Sequence, residues 1–228
     1  MNTIADTQNS SDRDMGSPGQ EQFPHSEELH QARYAMYKML SLAYLYPGDI
    51  DWNTFLNELP EILEEAAGIL PLDITTEIAT LSILSHSLEL KQICCEHTLL
   101  FINNPNKNPI APYESVYLED TIMGRCTQSV QELYEQYGLA VDQQHSYLLP
   151  DHIALELDFM ACLIEKSLES GASSLEEQNS FFDNHTGRWA QQFLADIKDT
   201  KPDAYFTLLA TVADKFFQYE KHFFASLA

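Results

Sequence analysis

His152 and Glu156, with Asp151 immediately before them, are the residues best spaced to act together at one point. On a helix, positions i and i+4 share a face, and imidazole with carboxylate is a familiar pair of metal ligands. A zinc or iron site needs three or four ligands. A di-iron bundle takes two Glu-x-x-His motifs, and the chain does not hold a pair of them. Glu96 and His97 are adjacent, so on a helix their side chains diverge by about a quarter-turn. A helical metalloenzyme using His152 and Glu156 is therefore kept only as an alternative. Nucleophilic catalysis has no support either: there is no Gly-x-Ser-x-Gly elbow, no P-loop and no Gly-x-Gly-x-x-Gly. Eight glycines leave little material for a phosphate cradle, so any nucleotide binding would be weak. No catalytic residue, bound metal or cofactor is expected.

The same residues also have structural readings. Pro150-Asp151-His152-Ile153 suits a helix entry, with Asp151 as N-cap and His152 in the first turn, where the helix dipole disfavours its charged form. The run that follows is apolar nearly all round. Ile153, Leu157, Met160 and Ile164 form one stripe and Leu155, Phe159 and Cys162 another, the mark of a buried central helix. A second segment, Pro112-Tyr113-Glu114-Ser115-Val116-Tyr117-Leu118, starts extended and enters a helix near Ser115. Its two tyrosines offer apolar faces with hydroxyls that can stay wet, as recognition surfaces do. Equally, Tyr117 and Leu118 could pin a loop to the core.

Charge narrows the partners. Thirty-five acids against twelve bases give a net charge of −23. No Lys or Arg lies between Lys38 and Lys91, against nine acids; between Lys107 and Lys166 only Arg125 does, against ten. Nucleic acid is excluded, because phosphate binding needs clustered cations. A solubilising surface explains the excess; so does a field that attracts a cationic peptide. No apolar run approaches a membrane span and no secretory signal is visible, so a cytoplasmic protein without membrane insertion is expected. The four cysteines, Cys94, Cys95, Cys126 and Cys162, lack a Cys-x-x-Cys pair and read as buried or half-buried free thiols of a reducing compartment.

The elements that must position these residues are all helical. Residues 1–25 are polar and acidic and are expected to form a disordered tail, leaving 26–228 as a helical domain. A helix after Ser26 should stop at Tyr46-Pro47-Gly48, and Asp51 should cap a short helix that Pro60 interrupts. Two helices, or one kinked helix, should span about Thr75 to Ile102. A Pro/Asn loop follows, and 103–112 is the expected place for an internal subdomain boundary. Helices are then expected over Cys126–Tyr137, Asp151–Ser170, Ser174–Ile197 and Asp203–Leu227. Strand alternation is absent. The expected architecture is a single all-α bundle of about eight to ten helices.

Five segments in order resemble the TorD/DmsD family: Arg33 to Pro47; Glu96 to Phe101; Pro112 to Leu118; Pro150-Asp151-His152-Ile153 with Glu156-Leu157 and Phe159-Met160; and Phe181-Phe182, His185, Trp189, Phe193. The resemblance covers about Arg33 to Phe193. It implies a non-enzymatic cytoplasmic chaperone that binds the twin-arginine signal peptide and the apo-form of a molybdenum-cofactor redox enzyme. Such a chaperone assists cofactor insertion and delays export, working as a monomer or domain-swapped dimer. Carried over, the leader-binding positions are Leu100, Phe101, Pro112, Tyr113, Ser115, Tyr117, Pro150, Asp151 and His152, with Glu156 beside them. Asp151, Glu156 and Glu114 are expected to form an acidic mouth that pairs with the leader arginines. A regulatory adaptor binding a folded partner is the other alternative.

Overall fold

A computed structural model describes residues 4–6, 27–170, 174–200 and 204–227. Among these lie ten α-helices and one two-stranded ladder. The helices are α1 (Glu27–Tyr44), α2 (Trp52–Ile69), α3 (Thr75–Ser85), α4 (Leu90–His97), α5 (Glu114–Glu119), α6 (Arg125–Gln136), α7 (Ile153–Ser170), α8 (Leu175–Asn184), α9 (Thr186–Asp199) and α10 (Ala204–Ala225). Strands β1 (Ile4–Asp6) and β2 (Leu139–Val141) pair antiparallel. The fold is all-α, as the patterning required. No described helix is long and apolar enough to cross a membrane.

Helix α7 is the axis. Every side chain from Asp151 to Ile164 is buried, which is what an apolar run without a polar face demands. Along it lies α1, joined by two buried polar links: Ser41 Oγ donates to the Ala154 carbonyl at 2.8 Å, and Lys38 Nζ pairs with Asp158. A second set of links ties α1 to α8 and α10. Arg33 is fully buried, makes two 2.7 Å bonds to Glu220, and bonds Gln178 at 3.0 Å. Tyr37 Oη donates to the same Glu220 carboxylate, and Phe223 lies under the guanidinium. Burial alone would lower the Arg33 pKa, but Glu220 outweighs it and holds the pKa above the ordinary value. One hydrophobic cluster takes in side chains from Ile4 to Phe224.

The helix boundaries depart from the expected ones in instructive places. Helix α2 runs through Pro60 instead of restarting there. Proline removes one main-chain donor, but Leu56, Leu59 and Leu63 bury the same face on both sides of it, and Pro60 itself is buried. Asp51 caps the helix as expected, accepting from Thr54 N. The segment from Thr75 resolves into α3 and α4, and α4 continues into a π-helical turn, Thr98–Ile102. The single helix expected over Ser174–Ile197 is broken at His185, whose φ of −124° and ψ of −103° are not helical. Gly187 permits the break: a Cβ there would lie 2.7 Å from the Phe182 carbonyl oxygen. Apart from Ile4–Asp6, the expected tail falls outside the described residues. Ile4–Asp6 forms a strand with Ile4 buried, which composition did not announce.

Candidate functional site

The two motifs thirty residues apart are one unit in space. Tyr113 and His152 form an isolated antiparallel bridge. Glu114 N donates to the Asp151 carbonyl at 3.0 Å, and Ile153 N donates to the Pro112 carbonyl at 2.9 Å. The Asp151 carboxylate does not cap its own helix. It crosses to α5 and accepts from Ser115 N at 2.9 Å, in that helix's first turn. His152 takes over the capping of α7: its Nδ1 accepts from Ala154 N at 3.1 Å. That bond requires an unprotonated Nδ1. Burial and the neighbouring His97 agree, pushing the His152 pKa down to about 3.

In front of this joint is a groove of about 450 Å³. Its walls are Tyr44 and Tyr46 from the end of α1, His97, Thr98, Phe101 and Ile102 from α4 and its π-turn, and Pro112, Tyr113 and His152 from the joint. The π-turn inserts one residue per turn relative to an α-helix, and both Leu100 and Phe101 are buried there. Phe101 packs edge-on against His97 at 4.9 Å, and Tyr113 against His152 at 5.1 Å. His97 is neutral as well, its pKa pushed down to about 4 by burial. The floor of the groove is therefore aromatic and uncharged. At its rim Ile102 and Tyr147 are 58% and 57% exposed. The one carboxylate among the lining residues is Asp49, which accepts from the Tyr147 hydroxyl; its carbonyl accepts from Gln144 Nε2 at 3.3 Å.

Behind the joint runs a polar seam. Glu114 Oε2 meets His185 Nδ1 at 2.9 Å, at the break between α8 and α9. Glu156 Oε2 accepts from Thr186 Oγ1 at 2.8 Å and from Trp189 Nε1 at 3.1 Å. Burial, and then the nearby Glu114, hold the Glu156 pKa well above the usual carboxylate range. Glu114, Ser115, Asp151 and Glu156 are each no more than 1% exposed.

Of the residues expected at the site, the structure brings Phe101, Pro112, Tyr113 and His152 together in the groove. Ser115, Asp151 and Glu156 lie in the seam, and Leu100 is buried, its carbonyl accepting from Ile110 N. Pro150 contributes a carbonyl to the Tyr134 hydroxyl at 2.9 Å. Tyr117 turns to another face, its hydroxyl on Asp196 at 2.9 Å and its ring against Trp189. The acidic mouth expected from Asp151, Glu156 and Glu114 therefore offers no exposed carboxylate: all three are turned inward because each satisfies an interior donor. The His152–Glu156 pair is likewise committed to other partners. No group of three or more His, Cys, Asp or Glu is placed to hold a metal among the described residues. All four cysteines are free; Cys95 is exposed, contrary to the expectation of burial. The sequence reading missed Tyr44, Tyr46, Asp49, His97 and Tyr147. Tyr46-Pro47-Gly48 reads as a helix stop at the end of the Arg33 to Pro47 segment, and no pattern marks Tyr147.

Fold and site thus define an all-helical protein with an aromatic groove, holding a single carboxylate in its lining, where its two motifs meet. Residues 70–195, over half of the chain, match the model of the nitrate reductase delta subunit family. The chain belongs to this family, a TorD-like one, in keeping with the motifs that resemble TorD/DmsD proteins. Relatives include "Chaperone protein TorD" of Vibrio cholerae, 30% identical over 142 residues, covering 59% of this chain and 62% of the relative. The protein of the same name from Aliivibrio salmonicida is 28% identical over 158 residues, covering 64% and 68%. The chain thus spans about three-fifths of the Vibrio relative's length. A crystal structure titled as a putative redox enzyme maturation protein from Archaeoglobus fulgidus shares the fold, with a TM-score of 0.55 and 21% identity over 88% of this chain and 99% of that one.

Proposed function

We propose that this protein is a cytoplasmic, non-catalytic chaperone for a molybdenum-cofactor redox enzyme, and that the groove binds the client's twin-arginine signal peptide. One observation carries the reading: the two family motifs join to make the wall of an aromatic groove with a single carboxylate, Asp49, at its rim. The apolar stretch of a leader suits the Tyr44, Phe101 and Tyr113 surface, whose burial is driven by area removed from water. A leader guanidinium suits Asp49, which replaces Asp151, Glu156 and Glu114 as the cation's partner. The net charge of −23 steers such a cationic peptide toward the protein. Holding the leader would keep the apoenzyme from export while its cofactor is inserted.

Calorimetry with a synthetic leader peptide tests this. Asp49→Asn should weaken binding severalfold and flatten its salt dependence, since an exposed ion pair contributes roughly 0–1 kcal/mol and is screened over about 8–10 Å. A peptide with both arginines replaced should be insensitive to Asp49→Asn. No saturable binding of the native leader would sink the proposal.

A further inference from the structure

Strand β1 lies across β2 in register, Ile4 opposite Val141, Ala5 opposite Ala140 and Asp6 opposite Leu139. Three features set this apart from a chain end resting on a surface. The contact is a main-chain ladder. One aliphatic side chain, Ile4, is taken into the interior and left only 1% exposed. Its N–H donates to Asp158 Oδ2 at 2.8 Å, while Oδ1 of the same buried carboxylate holds Lys38. A carboxylate fixed by a lysine thus reads a peptide N–H, and a cavity reads a side chain. Those are the parts of strand-addition recognition, in which the ladder supplies affinity and the pocket supplies selectivity.

The other edge considerations agree. Among the described residues β2 has no strand neighbour except β1, so without β1 it would present open main-chain groups of the kind that recruit another strand. The ladder, Lys38 and Asp158 include none of the residues that line the aromatic groove. Twenty residues, 7–26, separate β1 from α1. So short a connection keeps the local concentration of Ile4–Asp6 high, and any peptide from outside must compete with it.

We propose that the β2 edge with Asp158 is a second peptide-binding site, separate from the groove, and that the chain's own Ile4-Ala5-Asp6 occupies it in cis. Its ligand class is an extended segment carrying an aliphatic residue at the position of Ile4. Displacement of the resident segment opens the site to a segment of that pattern from a client.

The test uses the full chain and a fluorescent peptide of residues 1–8. Ile4→Asp in the chain should unseat the cis segment, so this variant should bind the peptide at least tenfold more tightly than the unaltered chain. The same peptide bearing Ile4→Asp should bind neither. Within Leu139–Val141, the amides that bond β1 should exchange at least tenfold faster in the variant and slow again when the peptide is added. Equal affinity of the two chains for the peptide, or unchanged exchange at β2, overturns the proposal. So does a dimer of the unaltered chain that Ile4→Asp converts to monomer, because the segment would then come from a neighbour. Should circular dichroism show that Ile4→Asp loses helix, Ile4→Ala is read by the same criteria.

Discussion

The groove and the seam behind it are built from the same two motifs and treat charge in opposite ways. In the groove, burial strips His97 and His152 of their protons and leaves an apolar wall with an exposed margin at Ile102 and Tyr147. In the seam, a few residues further along the same segments, burial raises the Glu156 pKa and sends Asp151 and Glu114 to interior donors. The difference teaches that motif residues can serve recognition at second hand. Asp151 and Ser115 touch no open surface, yet their bond sets where Tyr113 and His152 stand.

That division can be broken by substitution. Asp151→Ala should give the largest effect on stability. It strands the buried Ser115 N–H, so about 1–3 kcal/mol should be lost in a thermal or denaturant melt. Leader affinity of the folded fraction should change less. A large affinity loss with an unmoved melting point would return Asp151 to the binding surface.

Ile102→Asp should do the reverse. The side chain is mostly exposed, so stability should stay within about 0.5 kcal/mol. A charge on the groove rim should weaken binding of an apolar leader by about tenfold, or roughly 1.4 kcal/mol. Unaltered affinity in a titration would remove the rim from the site.

The smallest and sharpest contrast is in pH. The groove histidines have folded pKa values near 4 and 3, below their ordinary 6.5. The unfolded chain therefore binds more protons across that window, and their contribution is full above about pH 6.5 and is lost as pH falls toward 4 and 3. Glu156 has the opposite sign: its folded pKa is raised, so its contribution is full below the ordinary carboxylate value and is lost as pH rises. Glu156→Gln, which puts a neutral amide in place of the acid, should cost little at pH 5 and should flatten the decline in melting temperature between pH 5 and 8. An unchanged slope would mean that Glu156 is ionised in the fold. The acid-side slope from pH 6.5 to 4 should persist in that variant, since the histidines are untouched.

The helical class, the buried course of α7 and the stop at Tyr46-Pro47-Gly48 were legible because they are local. Apolar periodicity, caps and breakers act within one or two turns. Local too were the two motifs, Pro112 to Leu118 and Pro150 to Ile153, as residue patterns. Which atoms of those motifs line the groove was not local. The Tyr113–His152 bridge, the crossing of Asp151 to Ser115 and the burial of Glu156 against Trp189 join residues 30 to 40 positions apart. The break at His185 brings that ring to Glu114 of another helix, and the run of α2 through Pro60 depends on a face buried against its neighbours. The seating of Ile4 depends on a carboxylate 154 residues away. Sequence by itself determined the helices, the acidity and the family of motifs. Tertiary structure alone decided which carboxylates face inward, because the cost of burying a charge depends on the donors that packing brings to it.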